Sequence, residues 1–198
     1  MRIDDVLECV RQIRGTSTSQ VAGAQTHAWM LTMSQAPDHV YQPGRVRVRF
    51  DLPGDGSGWP PASSEGLWAA PLPEPDHVQP DNVPWFARGV ADGDVFRVSK
   101  DENGVLWAVE KVSWSGNCTI RVIPFRDGPL TGDMKRVLEA FEPFSVSGDG
   151  IAQYRIVALS IPPEADLVAV KRVLKEGERN GSWAFEEGCI GEAWQSAG

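Results

Sequence analysis

The chain has 198 residues, enough for one large domain or two small ones with a real core. Apolar residues at 41% and charged residues at 23% are the balance of a globular chain and exclude a low-complexity or disordered protein. Nineteen basic against 27 acidic residues leave a formal charge of −8, which offers no broad basic face to duplex nucleic acid and suits a basic protein partner.

Residues 3–13 place Ile3, Val6, Leu7, Val10 and Ile13 on one stripe, the spacing of an amphipathic helix that Gly15 ends. Asp4, Asp5 and Glu8 interrupt it, so it lacks the apolar core of a signal peptide. Residues 16–26 are small and polar and read as a loop; residues 27–33 read as a short strand, and Pro37, Pro43 and Gly44 make a loop of residues 34–45. The first 44 residues therefore form an extension on the main body.

From residue 45 the pattern turns to strands. Residues 45–52 alternate Arg45, Arg47 and Arg49 with Val46, Val48 and Phe50, the period of a half-buried strand with its arginines outward. A Gly-, Pro- and Ser-rich loop (53–66) comes next, then a strand over 66–72 that Pro71, Pro73 and Pro75 break. Residues 83–90 and 94–99 read as the next two strands, joined by a tight turn at 91–94. Asn103-Gly104 is the clearest hairpin signal, because both residues tolerate positive φ, and apolar runs flank it. A second hairpin turn is expected at 114–117, before the run CTIRVIPF (118–125). This half reads as a meander of short strands that a small barrel or a strongly curved sheet would close.

Beyond residue 126 the pattern changes. Thr131 can cap a helix with Met134, Val137, Leu138 and Phe141 on one face, and Pro143 stops it. The stretch 145–150 (SVSGDG) reads as turn chemistry, and 153–161 as a strand that becomes continuous in apolar residues. Pro163 can open a second helix that buries Leu167, Val170 and Leu174, and Gly177 or Gly181 ends it; 182–187 reads as a last strand. Residues 118–187 thus predict a β-α-β-α-β open sheet with two helices on one face. The fold class is α+β, with a strand-rich half (45–125) and an α+β half (126–198) packed as one compact unit.

The succession VRVRFDL, EGLWAAPL, DNVPWFARGVADGDVFRV, the DENG hairpin, SGNCTIRV and a terminal GSWAFEEGC resembles the domain of unknown function 4265 family of bacterial proteins, over about residues 45–190. The resemblance implies a compact bacterial cytoplasmic domain without assigned chemistry. The family pattern has a small hydroxyl residue where this chain has Cys118, which weakens any hydroxyl-based mechanism unless the thiol replaces it.

Three cysteines at wide spacing (Cys9, Cys118, Cys189) give neither a disulfide framework nor a zinc knuckle and point to reduced thiols in the cytoplasm. No apolar run approaches a membrane span. The three histidines are not spaced for a metal, and neither a phosphate loop nor a GxSxG elbow occurs, so no metal or cofactor is implied. If the protein is an enzyme, a hydrolase or transferase, Cys118 is the candidate nucleophile and His77 and Asn82 are its candidate partners, a set that only geometry can join. The candidate binding set lies at the strand ends: Glu65, Asn82, Asp94, Ser115 and Arg121, with Trp68 and Trp85 rimming a small polar pocket. The leading expectation is a cytoplasmic protein-binding module, with an immunity-like or inhibitor role toward a basic bacterial protein as its concrete form. A nucleic-acid strip on Arg45, Arg47 and Arg49 is the weaker alternative, which the net charge opposes.

Overall fold

The computed structural model describes residues 44–198 apart from 55 and 57. The helix, loop and strand expected within residues 1–43 lie outside the described residues. Five strands close into a barrel in sequence order: β1 (Val46–Asp51), β2 (Ser64–Pro71), β3 (His77–Pro80), β4 (Val95–Lys100) and β5 (Leu106–Ser113). Each step is antiparallel, so the fifth strand runs in the direction of the first and closure has to be parallel. It is made at Val48↔Leu106 and Arg49↔Trp107. Val48, Phe50, Leu67, Ala69, Val78, Phe96 and Val98 fill the interior, with Phe50 and Phe96 edge to face at 5.0 Å. The hairpin before β5 turns where Asp101 accepts from the amides of Asn103 and Val105 and Gly104 takes φ +79°.

Four further strands form an antiparallel sheet in the order β7-β8-β6-β9: β6 (Cys118–Pro124), β7 (Ser147–Ile151), β8 (Ile156–Ile161) and β9 (Trp183–Cys189). Helices α1 (Met134–Phe141) and α2 (Leu167–Arg179) come after β6 and β8, and a short α3 (Glu192–Ser196) closes the chain. The succession is β-α-β-β-α-β, with β8 inserted between β6 and β7, the ferredoxin-like split βαβ arrangement. The α+β class stands, and the second half carries one strand more than the sequence suggests. Cys118, Ile120 and Val122 meet Val137, Phe141, Val170, Leu174, Trp183 and Trp194 in one core under the helices. All of β6 is buried, because the opposite face of this central strand is covered too.

Several expectations need correction. β7 occupies SVSGDG because its glycine serves close approach: a Cβ on Gly148 would stand 2.6 Å from the Ala158 carbonyl oxygen. β3 lies in the proline-rich stretch, where short pairing to β2 and β4 survives between Pro75 and Pro80. Residues 83–90 form no strand; Pro84 interrupts them and side chains take their amides. The turn at 114–117 is not a hairpin, since it carries the chain from the barrel into the second sheet. Asp133, not Thr131, caps α1, and Asp166 caps α2 by accepting from Ala169 N at 2.9 Å, three residues after Pro163. Gly177 stays inside α2, and the helix ends at Asn180 before Gly181 at φ +75°.

Candidate functional site

The connection between β3 and β4, residues 81–94, lies as a strap between the barrel and the second sheet, and most of the polar residues singled out in the sequence converge on it. From the barrel, Glu65 projects inward on β2 between Leu67 and the loop. Its carboxylate accepts from the amides of Trp85 (2.7 Å), Phe86 (2.9 Å) and Ala87 (2.7 Å). A carboxylate holding three successive N–H groups replaces the ladder that a strand would have given them. Asn82 accepts from Trp68 N at 2.8 Å and fixes the strap's first turn.

From the sheet, Arg121 stands on the face of β6 opposite the helices. It is buried and donates to the Ala87 carbonyl. Glu186 on β9 lies 3.6 Å from Arg121 and 2.8 Å from Arg88. Burial pulls the Arg121 guanidinium below its usual range, and the Glu186 and Glu65 carboxylates oppose that. Gly188 makes room, since a Cβ there would stand 2.8 Å from the Arg121 Nη1, and its carbonyl accepts from Gly89 N at 2.8 Å. Thr119 donates to the Val90 carbonyl at 3.0 Å.

The far end of the strap is held by Asp94, which is fully buried. It accepts from Ala91 N (2.8 Å) and Ser115 N (2.9 Å) and pairs with Lys111 at 2.7 Å. Ser115 and Asn117 both donate to the Asp92 carbonyl at 2.8 Å. Asp92 itself is half-buried, and burial, with Asp81 and Asp94 nearby, raises its carboxyl above the usual value. A raised carboxyl means the folded form binds this proton more tightly than the unfolded chain does. The penalty is therefore absent below the unfolded pKa and grows as pH rises from there through the folded value. Asp92→Asn should raise the melting temperature at pH 7 and leave it unchanged at pH 3; differential scanning fluorimetry at both values checks this.

The arrangement is a joint: the charges and amides of Glu65, Asn82, Asp94, Ser115 and Arg121 are used in fastening two sheets. Trp68 and Trp85 are half-buried at its edge, with Arg47 stacked over the Trp68 ring at 5.2 Å and the Trp85 indole N–H buried without a hydrogen-bond partner. Arg45 is bonded to Asp81. Trp59, Phe86 and Tyr154 pack edge to face at 5.4–6.2 Å, so the loop after β1, the strap and the β7–β8 turn are also joined by aromatic contact.

Cys118, His77 and Asn82 are not brought together. Cys118 sits in the helix-side core, 3% exposed, and burial pushes its thiol up. His77 is on β3, its Nδ1 2.8 Å from the Pro75 carbonyl, while Asn82 serves Trp68. Among the described residues no group of three or more metal-ligating side chains occurs.

Sequence reasoning misses the residues that leave the joint for solvent. In β5, Phe96 pairs with Lys111 but Val95 with Ser113, and Arg97 pairs with Glu110 but Val98 with Ala108. Val112 and Val109 are thus the extra residues of two bulges. They stand 50% and 48% exposed, beside Trp114 at 42%. Trp114 lies across Gly191, where a Cβ would come within 1.9 Å of the ring. β5 meets β1 at Leu106 and Trp107, so residues 108–113 are, among the described residues, paired on the β4 side alone. The signal is the spacing of Val109 and Val112, three apart, which a period of two cannot place on one face.

A crystal structure of a hypothetical protein from Neisseria gonorrhoeae is similar in fold, with a TM-score of 0.61 at 20% identity over 77% of this chain and 99% of that one. None of the curated proteins matches the chain. The sequence profile described as "Domain of unknown function (DUF4265)" matches residues 65–185, from the glutamate that grips the strap to the strand beyond α2, and the chain belongs to that family.

Proposed function

We propose that the protein is a cytoplasmic bacterial protein-binding module that docks a basic partner on the bulged outer half of β5, with an immunity-like or inhibitor role as the concrete form. The observation that carries this reading is the strip Val109, Val112 and Trp114, three large apolar side chains exposed within six residues. Large apolar side chains grouped at the surface are what protein interfaces use as anchors. The bulges also break the regular ladder, which guards this edge against indiscriminate strand pairing and favours a side-chain contact. Charge sets the chemistry of the partner. The chain carries −8, and Glu110 on β5, Asp51 at the end of β1 and Glu192 beside Gly191 are exposed, the Glu110 carboxylate being paired with Arg97 at 2.8 Å. A net negative charge speeds encounter with a cationic protein and slows it with an acidic one. No helix among the described residues is long and apolar enough to cross a membrane.

The test is affinity capture from lysate of the source cells with the wild-type chain, Val112→Lys and Val168→Lys. Val168 on α2 is equally apolar and 56% exposed, which makes it a matched control away from the strip. Val112→Lys should weaken capture of a basic protein tenfold or more, since loss of a central anchor costs about 2 kcal/mol. Val168→Lys should leave it unchanged, and raising the salt should release the partner. Capture that survives Val112→Lys removes the docking site, and capture that ignores salt removes the electrostatic part.

A further inference from the structure

Lys111 sits between Val109 and Val112 on β5 but turns its side chain to the joint. Its ammonium lies 2.7 Å from the Asp94 carboxylate, 3.0 Å from the Gly89 carbonyl and 3.8 Å from the Cys189 sulfur. Cys189 is on β9, opposite Thr119, and so faces the barrel; Cys118 faces the helices on the other side of the sheet. A lysine nitrogen and a cysteine sulfur from two different sheets are therefore held in contact, with a buried carboxylate on the nitrogen. Burial pushes the Cys189 thiol up, and the Lys111 ammonium works against that.

We propose that the Asp94–Lys111–Cys189 cluster is a peroxide-driven latch, in which oxidation joins Cys189 to Lys111 and locks the barrel to the second sheet. This goes beyond the docking reading and does not depend on it. Hydrogen peroxide transfers one oxygen to the Cys189 sulfur, giving a sulfenic acid and one water; sulfur is oxidised and peroxide reduced. The Lys111 ammonium gives a proton to Asp94, and its lone pair attacks the sulfenic sulfur. The S–N bond forms as the S–O bond breaks, and the hydroxyl leaves as a second water with a proton from the nitrogen. The product is a sulfenamide, two hydrogens lighter than the reduced pair, as when a sulfenic acid condenses with a backbone nitrogen. Two thiols reverse it. The first attacks the sulfur, giving a mixed disulfide as the S–N bond breaks and the Lys111 amine takes up the thiol proton. The second frees Cys189 as the two external thiols leave joined as a disulfide; the amine recovers its other proton from Asp94. The Lys111 side chain is 30% exposed and Cys189 is 8% exposed.

The experiment treats the folded full-length chain, in a Cys9→Ser background, with hydrogen peroxide, quenches it, and maps peptides by mass spectrometry with and without dithiothreitol. The expected result is a linked pair of peptides holding residues 111 and 189, two hydrogens lighter than their sum, abolished by dithiothreitol and raising the melting temperature of the treated protein. Lys111→Arg keeps a cation on Asp94 but removes the nucleophile, so it should stay folded and give Cys189 sulfinic acid with no link. Cys189→Ser should give no link and no shift in melting temperature. Wild-type protein in which Cys189 stays a thiol, or goes to sulfinic acid without a link, overturns the proposal, as does a link that persists in Lys111→Arg.

Discussion

Glu65→Ala should destabilise the protein by about 4 kcal/mol, because three amides of the strap, that of Ala87 buried, lose their acceptor at once and Arg121 loses a counter-charge. Hydrogen bonds to a charged acceptor contribute about 1.5–3 kcal/mol each, and relaxation of the strap recovers part of the loss. At about 2–4 °C per kcal/mol for a chain of this size, the melting temperature should fall by roughly 8–16 °C. Glu65→Gln keeps one acceptor oxygen and turns an amide donor toward the remaining N–H groups, so it should fall in between. Thermal and urea denaturation of both variants measure this. An alanine variant within about 1 °C of wild type would mean that the strap is held by its apolar residues, Val83, Ala87, Val90 and Ala91, and not by the carboxylate.

Gly177→Ala should also destabilise, with a sign opposite to the general rule. Within an exposed helix this substitution stabilises by about 1 kcal/mol. Here a Cβ would stand 2.0 Å from the Trp183 ring, and Trp183 cannot withdraw easily, since its indole N–H donates to the Leu174 carbonyl at 3.1 Å and its ring packs on Phe141. Overpacking of this kind costs about 1–3 kcal/mol and more when the neighbour is fixed, so a net loss of about 2–3 kcal/mol is expected. Urea unfolding with an unchanged slope and a lower midpoint would show it; a raised midpoint would mean that α2 and β9 leave more room between them than the Trp183 contact implies.

How much of the fold is legible in the chain depends on whether a residue's partner is near in sequence. β1 is readable because Val46, Val48 and Phe50 alternate with arginines, and the β4–β5 hairpin because Gly104 supplies the positive φ that its turn uses. Both are local facts. The strap reads as a strand because VPWFARGV is apolar enough for one, and nothing within it shows that its amides go to Glu65, 20 to 22 residues earlier. β3 and β7 are hidden for a related reason: proline and glycine argue against strands, and only tertiary contact, such as Gly148 against β8, makes them acceptable. Glu65, Asn82, Asp94, Ser115 and Arg121 stand out as polar residues among apolar ones, which is why they group in space. Their spacing cannot say that they fasten a joint and leave little of their polarity for a ligand. Lys111 looks like an ordinary strand cation, since Asp94 and Cys189 lie 17 and 78 residues away.

The docking reading stands on the strip of β5 as the place of contact, and amide hydrogen exchange of the chain with and without its captured partner tests that most directly. Peptides spanning 106–114 should exchange more slowly in the complex, while those spanning α2 and its exposed Val168 should not change. Equal exchange across 106–114 in the free and bound states, with protection elsewhere, would contradict it.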